Sequence, residues 1–384
     1  MRGMKRRDFI RMGSMLAVSA TAVHALPYNG NIRKSVSASN KSIDFVYDGL
    51  HIDPQEYTKI LMKLADEGKI KPDYYSNGGI VEELEEKLAN WLGKESAVFF
   101  PTGTLANHVA LRQLAGENKR VIVQAESHIY NDSGDCAQTL SGLNLIPLGK
   151  SRAGFTLNDV KEIVEFTESG RVKTKVGVIA IESPVRRQND CSFGFDEMRR
   201  IYEYARAQEI KLHLDGARLF AEAAHLGKQP AEYGKLFDTV YTSFYKCFNA
   251  ASGAVLAGTK EFTENLFHVR RMFGGGLPNV WPFAAVALQY VDSYIDEYKS
   301  ALQVAEKFFS LIEKHPSFKV EKFENGTHIV KLIVNVSDLN KYREKLLARN
   351  INIMRPQEGL LLKINPSLNK VTGEELTGIF IDSL

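Results

Sequence analysis

Lys211-Leu-His-Leu-Asp215-Gly-Ala-Arg218 and Asp238-Thr-Val-Tyr-Thr-Ser-Phe-Tyr-Lys246 decide the fold. Each is a short apolar or β-branched run that ends in reactive side chains. The first ends in a carboxylate and a guanidinium, the second in a single amine. Such runs read as strands. A carboxylate that closes an apolar strand needs a partner, because burying it unpaired is expensive. Lysines are normally solvated, so one that follows a strand and precedes Cys247-Phe248 is out of place. Two such groups at the ends of neighbouring strands predict a ligand at the carboxyl edge of a parallel sheet.

Outward from this pair the chain alternates between helical and extended patterns. Val81, Leu84, Leu88, Trp91 and Leu92 recur at helical spacing, and Gly93 closes that helix. Strands are predicted over 97–101, 121–123 and 145–148, with helices over 104–114 and 132–140. Val176 to Glu182 is a nearly continuous apolar run, as in a strand covered on both faces. An amphipathic helix over 195–208 leads into strands at 211–215, 239–244 and 254–257. Alternation of this kind predicts an α/β fold with a mostly parallel sheet. Gly103, His128, Asp215 and Lys246 all fall just after predicted strands. Past Gly274-Gly-Gly276 the texture changes to one long helix from Trp281 to about His315, then strands near 318–323, 329–334, 351–354 and 360–364 around a helix at 339–349. The expected organisation is a large domain over 76–285 and a small α+β carboxyl-terminal domain over 286–384.

Of the 384 residues, 44% are hydrophobic and 25% charged, an ordinary globular balance. The formal charge of +3 comes from the front end, where Arg2, Lys5, Arg6, Arg7 and Arg11 face only Asp8; the remainder stands at −1. A near-neutral body argues against nucleic acid as a partner. Residues 1–25 join a paired-arginine region to a short, weakly apolar stretch, and small residues follow at Ala20-Thr-Ala22 and Val23-His-Ala25. The segment resembles a bacterial twin-arginine signal peptide, which implies export to the periplasm and no stable membrane span after processing. Residues 26–75 read as linker and amino-terminal segment. Cys136, Cys191 and Cys247 form no disulfide scaffold and match no metal site, so no metal is expected.

An amine and an acid so placed are what pyridoxal 5′-phosphate needs. The amine binds the aldehyde as a Schiff base, and the acid keeps the pyridine nitrogen protonated so that the ring accepts electrons. On this reading Lys246 is the nucleophile and Asp215 the ring partner. Pro101-Thr-Gly-Thr104 lies between a strand and a helix, where Gly103 admits a phosphate, Thr104 offers a hydroxyl and the helix start offers free amides. Ser243 is a further candidate phosphate contact, and His128 a candidate ring-stacking side chain. Arg218 is placed to clamp a substrate carboxylate or to pair with the acid. Taken singly, each has a plainer reading: a βα turn for Gly103, a surface or core histidine for His128, a capping pair for Asp215 and Arg218, a loop ion pair for Lys246.

Together, these motifs resemble the threonine aldolase and aromatic amino acid β-eliminating lyase family of fold-type I pyridoxal enzymes. The resemblance runs from about Ser76 to Val280. Phe100-Pro-Thr-Gly-Thr-Leu-Ala-Asn107 looks like the family's phosphate loop, and Glu126-Ser-His-Ile-Tyr130 like its ring-stacking motif. His213-Leu-Asp-Gly-Ala-Arg-Leu219 matches its pyridine-binding strand, and Lys246 stands where the family has its Schiff-base lysine. Arg270-Arg-Met-Phe-Gly-Gly-Gly276 resembles a basic, glycine-rich stretch whose arginines reach a phosphate, by analogy across a dimer interface. The resemblance implies a lyase that cleaves a β-hydroxy amino acid to glycine and an aldehyde, working as a homodimer or homotetramer. It implies that Arg218 binds the substrate carboxylate and that His128 takes the hydroxyl proton.

The substrate half departs from the family pattern. The amino-terminal substrate segment survives only as Phe45-Val-Tyr-Asp-Gly49, and the segment before the ring-binding strand reads Glu182-Ser-Pro-Val-Arg186. A second carboxylate-binding arginine has no clean match, which leaves Lys363 or Arg355 to substitute. Two rivals therefore stand beside aldol cleavage: β-elimination from an aromatic or thiol amino acid, and cofactor binding without turnover. A dinucleotide oxidoreductase is disfavoured by the absence of a Gly-x-Gly-x-x-Gly turn after an early strand.

Overall fold

The computed structural model describes residues 42–384; the basic leader over 1–25 lies outside the described residues. Twelve strands follow in chain order: β1 Ile43–Asp44, β2 Ser96–Phe100, β3 Arg120–Gln124, β4 Asn144–Leu148, β5 Val176–Glu182, β6 Lys211–Asp215, β7 Thr239–Ser243, β8 Ala254–Gly258, β9 Phe318–Lys322, β10 Ile329–Val334, β11 Ile351–Asn352 and β12 Leu360–Lys363. Seven form the central sheet in the order β2-β8-β7-β6-β5-β3-β4. The run from β7 to β4 is parallel throughout. Only β8 is reversed, and because β2 pairs antiparallel with β8, β2 points the same way as the rest. Its exit loop at Pro101-Thr-Gly-Thr104 therefore opens on the same edge as the exits of β3, β5, β6 and β7. This is the α/β architecture that the alternation predicts.

Every residue of β5, β7 and β8 is buried. The helix Gly103–Ala115 covers one face, crossing β5 to β8. Register aligns Glu182 with Asp215 and Asp215 with Tyr241, so three polar side chains form one row at the carboxyl edge.

After the central sheet, β12-β10-β9 form an antiparallel sheet of three strands. The helix expected over 281–315 is two helices, Trp281–Val291 and Tyr294–Ile312. The break falls at Asp292-Ser293, where the Ser293 hydroxyl turns back to the Tyr290 carbonyl at 3.5 Å and competes with the backbone ladder. Of the helix expected over 132–140 only the later part forms, as Cys136–Ser141, with a separate turn at His128–Asn131 ahead of it. Gly134 and Asp135, with φ of 61° and 52°, part the two.

The segment expected as a lead-in is more structured than its composition suggests. β1 pairs in parallel with β11, Ile43 opposite Ile351, and a 13-residue helix runs from Pro54 to Asp66. Among the described residues no helix is long and apolar enough to cross a membrane.

Candidate active site

A cavity of about 190 Å³ opens at the carboxyl edge. Among its lining residues are Gly103, Thr104, His128, Glu182, Asp215, Arg218 and Lys246. Six of the seven residues singled out in the sequence thus share one cavity. Ser243 is the exception: its hydroxyl is fully buried beneath the strand end, and the lining serine is Ser252, held by the Pro101 carbonyl at 2.9 Å. Ser243 shares a strand face with Tyr241, which lines the cavity, so it lies one layer beneath that wall, covered by the turn into the helix Phe244–Cys247.

Gly103 begins the 13-residue helix Gly103–Ala115, whose first turn is capped by the Thr102 hydroxyl accepting from the Leu105 N–H at 3.2 Å. A Cβ at Gly103 would stand 1.9 Å from the Tyr241 hydroxyl, so only glycine fits there. Unpaired amides and the positive end of the helix dipole face the cavity, as an anion requires. Thr104 Oγ1 lies 3.2 Å from His128 Nε2, which ties the imidazole to the same turn.

Asp215 is buried, yet among the described residues no cation lies within ion-pair distance of it. Its Oδ2 accepts from the Asn107 amide at 2.5 Å and its Oδ1 from the Ala217 N–H at 3.2 Å. Because the Asn107 nitrogen donates to Asp215, the Asn107 oxygen accepts from His213 Nε2 at 2.9 Å, and His213 Nδ1 then accepts from Thr239 Oγ1 at 2.8 Å. Burial pushes the His213 imidazole down to about 4, so it stays neutral in this chain of bonds. Thr239 does not stand out in the sequence; Asn107 and His213 do, but only as members of the quoted motifs.

Lys246 sits in the short helix Phe244–Cys247. Its amine is lowered to about 8, first by burial and then by Arg218, against the pull of Asp215, Asp48 and Glu182. Glu182 is raised to about 7 by burial and by neighbouring Asp215. Its two oxygens accept the backbone N–H of His128 at 2.5 Å and of Arg186 at 3.0 Å, so one carboxylate holds both stems at the cavity mouth. The sequence marks Glu182 only as the start of a divergent segment.

Arg218 lies in the cavity wall but is already engaged. Asp48 Oδ2 is 2.9 Å from its Nε, close in distance yet not aligned as a hydrogen bond, and Asp190 Oδ1 is 3.6 Å from its Nη1. Lys363 donates to Asp48 at 2.6 Å and to Asp190 at 3.4 Å. His328 Nε2 lies 3.2 Å and 3.4 Å from the same two acids. Burial works against the Asp48 carboxylate, but Arg218, His328 and Lys363 together hold it well below the usual range. The donor atoms of Asp48, Asp190 and His328 lie within 4.8 Å of one another; the Lys363 ammonium stands between the two acids where a cation would bind. Arg355 is exposed and does not line the cavity.

Arg270 is fully buried and donates to the Phe99 and Tyr75 carbonyls. The expectation that it reaches a phosphate across an interface is corrected: it is an internal brace. Arg271 instead stacks over Tyr75, 4.9 Å from the ring centre.

The residues fit pyridoxal phosphate: a depressed amine, a buried acid without a cation, a neutral imidazole relay behind that acid and an anion-binding helix start share one cavity. Comparison with known proteins agrees. Residues 67–335 match the model of the β-eliminating lyase family. The low-specificity L-threonine aldolase of Candida albicans is 26% identical over 279 residues, which cover 70% of this chain and 74% of that one. A Listeria monocytogenes structure provisionally assigned as an L-allo-threonine aldolase superposes with a TM-score of 0.74 at 26% identity, over 90% of this chain and 97% of its own. One from Exiguobacterium, provisionally assigned as an aromatic amino acid β-eliminating lyase or threonine aldolase, gives 0.73 at 25% identity over 90% of this chain and 98% of its own. With the match extending through every strand of the central sheet, the chain belongs to the β-eliminating lyase family.

Proposed function

We propose that the protein is a pyridoxal-phosphate-dependent lyase of the threonine-aldolase kind, which cleaves the Cα–Cβ bond of a β-hydroxy amino acid to give glycine and an aldehyde. The observation that carries this reading is Asp215, a buried carboxylate lacking a cation, in one cavity with an amine lowered to about 8. Lys246 would hold the cofactor's aldehyde, Asp215 its ring nitrogen, His128 its ring face, and the helix start at Gly103 and Thr104 its phosphate. When bound, the cofactor supplies an electron sink for the bond that breaks at Cα.

The chain's own groups do the rest. Burial leaves a useful fraction of Lys246 uncharged near neutral pH, so the amine is nucleophilic and can carry a proton. Asn107 and Ala217 aim the Asp215 oxygens, and neutral His213 keeps Asn107 from turning its oxygen toward them. His128, held by Glu182 through its backbone and by Thr104 through its ring, is positioned to take the proton of a β-hydroxyl. The same residues serve β-elimination, so products decide between the two: glycine with an aldehyde from threonine or allo-threonine supports aldol cleavage, and pyruvate with ammonia and no glycine refutes it. A Lys246→Ala variant loses the visible absorption band of the lysine-bound cofactor. If amino acids leave that band unperturbed in the wild type, the protein binds without turnover.

The paired arginines and apolar stretch of residues 1–25 support export through the twin-arginine route. Family resemblance supports a homodimer or homotetramer.

A further inference from the structure

We propose that Tyr245 sets the substrate specificity of the cavity: its ring receives the β-substituent of the substrate and favours a planar apolar group, an aromatic ring above a methyl. The inference deepens the lyase reading above and rests on it. Tyr245 immediately precedes Lys246 on the short helix Phe244–Cys247, and both line the cavity. Of the two tyrosines in that lining, Tyr241 is 3% exposed and Tyr245 is 53% exposed. The Lys246 nitrogen lies over the Tyr245 ring, 5.4 Å from its centre. A single exposed aromatic side chain is ordinary on a protein surface. This one is fixed beside the reacting amine, at a cavity whose other walls carry Glu182, Asp215 and Arg218.

The remaining walls have other work. Gly103 and Thr104 would take the cofactor's phosphate, Asp215 its ring nitrogen, His128 its ring face, and Arg218 the carboxylate of the substrate, as the resemblance implies. A ligand that replaces Lys246 at the aldehyde brings its own nitrogen to about the place of the lysine's. Its β-substituent hangs from a carbon two bonds beyond that nitrogen. It therefore comes within the roughly 4.5–7 Å over which aromatic rings attract each other. A phenyl group there removes ring surface from water that a methyl leaves wet. Burial, with Asp48 and Asp215, raises the Tyr245 hydroxyl against the pull of Arg218 and Arg186, so near neutral pH the side chain offers an uncharged ring. The substrate class is therefore a β-hydroxy amino acid with an aromatic β-substituent.

The test is equilibrium binding of L-phenylalanine and L-alanine to cofactor-loaded protein, read by calorimetry rather than by turnover. Both carry the amine and the carboxylate and lack a β-hydroxyl, so they differ only in the β-substituent. Wild type is expected to bind phenylalanine about tenfold or more tightly than alanine. Tyr245→Ala, a change at a half-exposed side chain, is expected to remove most of that preference, and Tyr245→Phe to keep it within about twofold. Comparing the two ligands cancels any general loosening of the cavity. A wild type without the preference overturns the assignment. So does a preference that survives Tyr245→Ala, or one that Tyr245→Phe loses just as fully. If threonine still yields glycine and an aldehyde in those cases, the lyase reading stands and only this one falls. A wild-type protein that takes up no cofactor sinks the underlying reading and this one with it, and is recognised before any titration begins.

Discussion

Asn107 controls Asp215 from behind. It donates to the carboxylate with its nitrogen and accepts from His213 with its oxygen, so one amide settles the orientation of both. An Asn107→Ala variant leaves a buried carboxylate oxygen and a buried imidazole N–H unpaired. It should lose about 1–3 kcal/mol of stability in urea unfolding and bind the cofactor more weakly, with Asn107→Asp worse still because it sets two acids face to face. Lys246 carries a pH prediction. Burial disfavours its charged form, so the amine of the cofactor-free protein should react with a small acylating reagent with a midpoint near 8, measured by mass mapping of position 246. Between about 8 and its ordinary 10.5 the unfolded chain binds the extra proton, so the cofactor-free protein should gain stability as pH rises through that window. The amine and the acid were legible in the sequence because each ends an apolar strand. The contacts of Asn107 and Glu182 were not, since a polar residue within a helix or at a strand end has no distinctive neighbours in sequence; only the row Glu182-Asp215-Tyr241 across three strands reveals what faces what.

Elements, unlike single residues, are held by their ends. Asp73 precedes the helix Gly79–Trp91, yet its Oδ1 accepts the N–H groups of Val280 and Trp281, both at 2.8 Å, and its Oδ2 that of Ser76 at 2.9 Å. One carboxylate thus caps the helix Trp281–Val291 and fastens it to a segment some two hundred residues earlier. Asp73→Ala should cost about 2 kcal/mol or more, read as a lower urea midpoint with unchanged slope, while Asp73→Asn recovers part of it. Central strands were readable to within a residue because their apolar runs are continuous. The helix Pro54–Asp66 was missed although its signals are present, an Asp53 cap, Pro54 at its first turn and an apolar stripe of Tyr57, Ile60, Leu61 and Leu64 at helical spacing. The break at Asp292-Ser293 escaped because apolar spacing carries on through it and a hydroxyl turned back on the backbone is a tertiary fact, whereas the one at Gly134-Asp135 lies in Asn131-Asp-Ser-Gly-Asp135, a polar turn signal that the reading passed over.

At the scale of the whole chain, residues from Asn40 to Leu384 form one compact unit. A protein begun at Asn40 should therefore load cofactor and release glycine at the rate of the full chain, measured on purified material. Arg6→Lys with Arg7→Lys, left in the full chain, should strand it in the cytoplasm of a bacterial host, read by fractionation. Light scattering of the loaded protein should give the mass of a dimer or tetramer; a fully active monomer would refute that expectation. The last consequence follows from the pairing of β1 with β11. Asp48 reaches Lys363 across 315 residues, and β1 has no partner strand until Ile351 has been made. A ribosome must therefore deliver nearly the entire polypeptide before the ion cluster that braces Arg218 from behind can assemble, although every residue lining the cavity, from Pro101 to Ser252, is made long before.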